Sequence, residues 1–198
     1  MLVNLDNVDN LYADLKNKIV FRKEEFAGFI NFLESKTTWL TSPASTRYHL
    51  ACEKGLLMHS VGVAYQFLTL KSCLMPSLED ESCIICGLFH DVGKLGSPEH
   101  PLYKKGFGDY EGYYYNPDSV AMGLGVRSLY LATQHITLSD DETQAICCHD
   151  GQYIKENEIV AHKEAPLTLL LHYADYWQAH MYEDKKRYTK YFMGATSK

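Results

Sequence analysis

Apolar side chains recur at three- and four-residue spacings along most of this chain of 198 residues. Alternating, strand-like stretches are hard to find. That period belongs to helices, so the fold class is all-α, a bundle of about six to eight helices. The segment FRKEEFAGFINFLE puts Phe26, Phe29, Ile30 and Leu33 on one face of an amphipathic helix. It belongs to an N-terminal helical pair. Turn formers in TSPASTRYHLACEKG mark a loop before a helix at about 55–71, and Met75-Pro76-Ser77 marks another loop. A helix at about 78–92 opens on the acidic turn Glu79-Asp80-Glu81, which suits the positive end of a helix dipole, and Gly93 and Gly96 close it. Residues 97–115, rich in glycine and tyrosine, predict a long loop. Asn116-Pro117 predicts the N-cap of a helix running to about Gln134. Ser139 and Glu142 form a capping box for a short helix ending near His149, and Pro166 starts a final long helix.

The chain carries 46% hydrophobic and 22% charged residues, values of a folded globular protein rather than a disordered one. The net charge of −6, with no basic run longer than Lys185-Lys186-Arg187, argues against binding long nucleic acid. No uncharged stretch reaches membrane-spanning length, and MLVNLDNVDN lacks the basic and apolar parts of a signal peptide. A cytoplasmic protein with no membrane partner is expected. The six cysteines then read as reduced thiols, and Cys83 and Cys86, with no second CxxC, as small buried residues rather than a zinc or redox pair.

Polar residues interrupt three inward stripes. His59 shares one with Leu56, Val63 and Phe67. His90 shares another with Cys83, Cys86 and Gly87, with Asp91 about 100° further round, and the small Cys86 and Gly87 allow a second helix to come close. Asp175 aligns with Thr168 and Leu171. A divalent cation explains this pattern, because two imidazoles and two carboxylates from separate helices coordinate one ion and leave positions for water. Such an ion turns water into a nucleophile near neutral pH, which leads to phosphoester hydrolysis. A His-Asp pair alone means little, since nine histidines yield roughly 0.5 such pairs by chance. His90-Asp91 gains meaning from His59 upstream, Asp175 downstream and Lys94 beside it.

PASTRYHLACEKGLLMHSVGV, GLFHDVGK, LSDDETQAICCHDG and APLTLLLHYAD follow one another over residues 42–175. In that order they resemble the HD-domain metal-dependent phosphohydrolase superfamily, whose pattern is H...HD...D on a helical bundle. The resemblance is nearest to small bacterial HD hydrolases and to the HD portion of certain bacterial 3′-5′ exoribonucleases. It implies a single HD-type domain over 1–198, with N-terminal helices in 1–41 packed on a core at 42–183. It also implies that His59, His90, Asp91 and Asp175 bind a divalent metal ion (Mn, Fe, Co, Ni, Zn or Mg). Asp91, Lys94 and His149 would take catalytic parts, and Lys94, Arg47, His49 and His149 would contact substrate.

The implied function is hydrolysis of a phosphoester or phosphoanhydride bond in a small molecule, a nucleotide above all. Binuclear relatives carry a histidine where this chain has Asn116, so one tightly held ion is expected, with a second weak at best. The alternatives are a non-catalytic metal- and nucleotide-binding sensor or scaffold, and a nuclease acting on short ends. His172 either orients Asp175 or packs, and the tyrosines of 110–115 either stack on a nucleobase or pin the loop. His135 is not expected to be a ligand, and His100, His162 and His180 are expected at the surface.

Overall fold

The structure, a computed structural model, describes residues 1–106 and 112–193. Eight α-helices occur among them: α1 (Val8–Asn17), α2 (Lys23–Lys36), α3 (Gly55–Leu74), α4 (Asp80–Phe89), α5 (Leu124–Thr133), α6 (Asp140–Cys148), α7 (Pro166–Trp177) and α8 (Lys185–Phe192). The all-α reading holds, with one small addition. Within the expected long loop, β1 (Tyr103–Lys105) and β2 (Tyr113–Tyr115) pair antiparallel, Tyr103 opposite Tyr115. Three-residue strands are too short to display an alternating pattern. Gly108 and Tyr110 lie outside the described residues.

α3 is the axis of the fold, packing against α1, α4 and α7. Its first ten residues, 55–64, are all buried, His59 and Ser60 included. A helix covered all round has no polar face for periodicity to report, so the expected stripe is only part of its buried surface. α4 lies close against it because Gly87 has no side chain: a β-carbon there would stand 2.6 Å from Ala64 Cα. α1 and α2 belong to the same core, where Leu15, Phe29 and Leu33 pack with Leu56, Leu88 and Phe89.

Several boundaries differ from expectation. α4 stops at Phe89, and a 3-10 turn from Val92 to Leu95 follows before Gly96, at φ 74°, ends it. Asn116 does not cap a helix. Its Oδ1 accepts from Asp118 N (3.1 Å) and its Nδ2 donates to Pro101 O (2.8 Å), so it closes a turn on the hairpin, and α5 starts only after Gly123. The capping box of Ser139 and Glu142 forms as expected. α7 starts at Pro166, but after Trp177 it widens into a π-helical turn, Gln178–Tyr182, and α8 follows as a separate helix capped by Asp184. Among the described residues no helix is long and apolar enough to cross a membrane.

Candidate metal centre

His90 and His149 occupy equivalent places, each the C-cap of its helix, α4 or α6. Helix ends leave carbonyls without an intrahelical donor, and each imidazole answers this locally. His90 Nδ1 donates to Gly87 O and His149 Nδ1 to Ile146 O, both at 2.9 Å. His59, on α3, donates its Nδ1–H to the carboxylate of Glu183, 3.1 Å from each oxygen. Oxygen acceptors at all three Nδ1 atoms fix the tautomer, so in each neutral ring the lone pair sits on Nε2.

The Nε2 atoms of His59 and His90 face each other, and each of the three Nε2 atoms faces a carboxylate. His59 Nε2 lies 3.3 Å from His90 Nε2, 3.1 Å from Asp175 Oδ1 and 3.4 Å from Asp91 Oδ2. His90 Nε2 is 3.5 Å from Asp91 Oδ2 and 3.9 Å from Asp175 Oδ1. The other oxygen of Asp91 faces His149 Nε2 at 3.6 Å. Lys94 Nζ, one 3-10 turn on, lies 2.5 Å from Asp91 Oδ2. A cavity of about 400 Å³ opens beside this cluster, with His49, Lys94, His149 and Asp175 in its wall.

Charge and burial compete strongly here. Burial alone would strip the proton from each imidazole. It prevails at His90, held down at about 4. At His59 burial is outweighed by Glu183, Asp175 and Asp91, which raise the ring well above its ordinary value. At His149 it is outweighed by Asp91 and Asp150, which raise the ring to about 9. Burial disfavours the charged carboxylates too, yet Lys94 and His90 hold Asp91, and His59 holds Asp175, well below the usual range. Two adjacent carboxylates that stay ionised although Asp91 is only 3% exposed demand positive charge close by.

Imidazole Nε2 atoms, once they release their protons, and carboxylate oxygens gathered this closely are the donor set of a borderline or hard cation. Among the described residues, three groups are able to hold a metal ion: His59, His90 and Asp175; His90, Asp91 and His149; and, behind His59, His49, His59 and Glu183. The residues present therefore fit a divalent metal.

All four expected ligands converge, and Lys94, His49 and His149 reach the same cavity. Arg47 does not line it. The Arg47 side chain is exposed, its guanidinium 5.4 Å from the centre of the Tyr48 ring, because the loop that turns His49 inward leaves Arg47 and Tyr48 facing out. His172 does not orient Asp175 through Nδ1, which donates to His149 O at 2.7 Å and so ties α7 to the end of α6. His180 is exposed as expected, yet it forms part of the cavity rim. Tyr103 packs against Tyr115 with ring centres 5.3 Å apart and planes inclined by 57°, and neither lines the cavity, which favours pinning of the loop. Asn116 spends its amide on the hairpin rather than on the cluster.

Cys83 and Cys86 are buried free thiols, burial pushes Cys83 up to about 12 and Cys86 well up, and neither belongs to a group able to hold a metal ion among the described residues. Sequence reasoning missed Glu183, which sits in the charged run YEDKKR and looks like surface. No family model, curated protein or solved structure matches the chain.

Proposed function

We propose that this chain is an HD-type metal-dependent phosphohydrolase that cleaves a phosphoester or phosphoanhydride bond of a small phosphorylated molecule, a nucleotide above all. One observation carries the reading. Three imidazoles have their Nδ1–H bonds spent on oxygens behind them, and their Nε2 atoms face two ionised carboxylates at the wall of an open cavity. A core assembled only for packing would have no use for this arrangement, since ionised carboxylates are among the costliest groups to bury.

His59, His90, Asp91 and Asp175 would hold the ion, and the two oxygens of Asp91 face different neighbours, Oδ2 toward His59, His90 and Lys94 and Oδ1 toward His149. When bound, a divalent cation supplies a more acidic water and neutralises phosphate oxygen charge. Lys94 keeps an ammonium at the cavity wall, where it offsets charge that builds up on a phosphoryl group in the transition state. His149 faces Asp91 Oδ1 from the far side, where it holds or hands over a proton. His49 contributes a further polar contact from the loop before α3.

Metal content of the purified chain and of Asp91→Ala, followed by phosphate release from a panel of nucleotides with each divalent ion, tests the reading. Wild type is expected to retain about one ion per chain, the ratio a single four-ligand site implies, and to hydrolyse at least one nucleotide, while the variant does neither. Metal binding without turnover would move the chain to the sensor alternative. Absence of binding with added Mn, Ni and Zn would overturn the metal centre.

A further inference from the structure

Glu183 stands outside the expected ligand set, yet its carboxylate is bound to the cluster through His59. Its side chain is 2% exposed. Its oxygens accept from His59 Nδ1 at 3.1 Å, from His49 Nδ1 at 2.6 Å and from Gln178 Nε2 at 3.2 Å. The two imidazole rings it joins lie with centroids 4.8 Å apart, nearly perpendicular.

Glu183 arrives there through the π turn. The backbone N–H of Glu183 bonds to Gln178 O at 3.1 Å, a five-residue step that continues α7 beyond its regular register and lays Gln178 and Glu183 against α3. π turns of this kind concentrate at functional sites. The approach also requires Gly62: a β-carbon there would fall 2.4 Å from Gln178 Nε2. Three separate features therefore serve one contact: the widened turn, a bare position on α3 and a buried amide.

We propose that Glu183 is the positioning residue of His59 and also ties His49 and the C-terminal turn to the metal centre; this rests on the metal-dependent reading above. A carboxylate behind a ligating imidazole holds the ring in one tautomer and one orientation and makes its other nitrogen a better donor. His90 and His149 have only backbone carbonyls in that place. His59 alone has a full negative charge behind it, so of the three rings it is the strongest donor. Because Glu183 ends the π turn, anchoring of the C-terminal segment and metal affinity are linked.

Glu183→Gln and Glu183→Ala in the full chain test this, with cobalt(II) alone as the probe. Affinity is read by competition with a chromogenic chelator, and the His59 tautomer, in the protein loaded with diamagnetic zinc(II), by long-range ¹H–¹⁵N correlation. Glu183→Ala is expected to bind cobalt about 10–100-fold more weakly than wild type. Glu183→Gln, whose amide oxygen serves only part of the network, should fall between them. Far-UV circular dichroism should stay unchanged, and His59 should lose its uniform Nδ1–H form in Glu183→Ala.

Equal cobalt affinities in all three proteins, with only the melting temperature lowered in the variants, would overturn the proposal and leave Glu183 as an anchor for the chain end. If Glu183→Ala does not fold, Glu183→Gln decides alone, and an affinity equal to that of wild type overturns the role. Failure of wild type itself to bind cobalt would remove the metal reading and this role together, an outcome distinct from equal binding by all three.

Discussion

Two clusters of buried charge lie within this one bundle, and they are built on opposite plans. In the first, Arg22 joins Glu81 and Glu142. Glu81 accepts from the backbone N–H groups of Val20, Phe21 and Arg22 and from Arg22 Nε, at 2.8 to 3.1 Å. Glu142 accepts both terminal nitrogens of Arg22, at 2.8 and 2.7 Å, and Ser139 N at 2.8 Å. Every carboxylate oxygen there meets a fixed donor, and the network clamps the start of α2 to α4 and α6. In the second, Asp91 and Asp175 face the Nε2 edges of three imidazoles, plus one lysine. His59 and His149 are raised enough to carry protons there near neutral pH, and a bound cation would displace those protons. The first cluster is held by donors that do not titrate near neutrality, whereas the second is held by imidazole protons that a metal ion can replace.

Exchanging single members should break the two clusters in different observables. Asp175→Asn is expected to weaken divalent-ion binding by more than the ~100-fold that loss of an outer partner costs, because a direct ligand is removed. Its stability in metal-free buffer should change less than that of Arg22→Met. Arg22→Met leaves two carboxylates buried without their shared cation and should cost about 3 kcal/mol in urea denaturation, with metal affinity equal to that of wild type. If Arg22→Met also lost metal, the clusters would be one system and the contrast would fail.

Lys94→Gln sharpens the second cluster. The Lys94 ammonium sits on the Asp91 oxygen that faces both His59 and His90, so it competes with any cation bound there. The variant should bind metal at least as tightly as wild type while nucleotide hydrolysis falls about 100-fold, the scale for removal of one charge-stabilising donor. Parallel loss of affinity and rate would instead make Lys94 a structural support of Asp91.

Acid separates the clusters less sharply but with a definite sign. Burial opposes ionisation of Glu81 and Glu142, yet backbone N–H groups and Arg22 hold both below their ordinary 4.5. A depressed folded-state value adds stability that is present above pH 4.5 and is lost as pH falls below it. Wild type should therefore lose stability from about pH 4.5 downward. The loss should be shallower in Arg22→Met, whose two glutamates no longer have a guanidinium to depress them. Chemical denaturation at pH 7 and at successive values below 4.5 measures the slope, and equal slopes in the two proteins would refute the assignment.

The helix period made α2 and α3 legible, the capping box and Pro166 marked α6 and α7, and the polar interruptions on α3, α4 and α7 picked out four candidate ligands. These are local signals: a residue on an apolar stripe faces the core whichever helix it meets. Glu81 shows the limit. As an acid in the first turn it satisfies the dipole rule, yet it is buried on the backbone of residues 20–22, a tertiary contact with no mark in local sequence. Glu183 lies beyond a π turn, where the 100° step per residue that periodicity assumes no longer holds. Asn116 carries a helix-cap signature that a two-residue turn also satisfies, and the hairpin behind it decided the outcome.

The smallest expected effect tests whether sequence separates ligand histidines from packing ones. His135 lies in the turn that follows α5 and differs from His59 by nothing in residue type. Its ring, however, lies 4.5 Å from the centre of Phe32 and 5.1 Å from that of Phe29, almost parallel to the latter. It therefore replaces an aromatic side chain in a stack, and the stack needs only a flat ring. His135→Phe should leave metal content and hydrolysis unchanged and shift stability by about 0.5 kcal/mol or less, the range of substitutions that disturb neither packing nor a buried polar contact. His59→Phe, with a ring of the same size, should abolish metal binding. A change in metal content in His135→Phe would mean that the imidazoles outside the cluster communicate with it through the aromatic layer between α2 and α5. That would place the metal centre and the N-terminal helices in one cooperative unit instead of two.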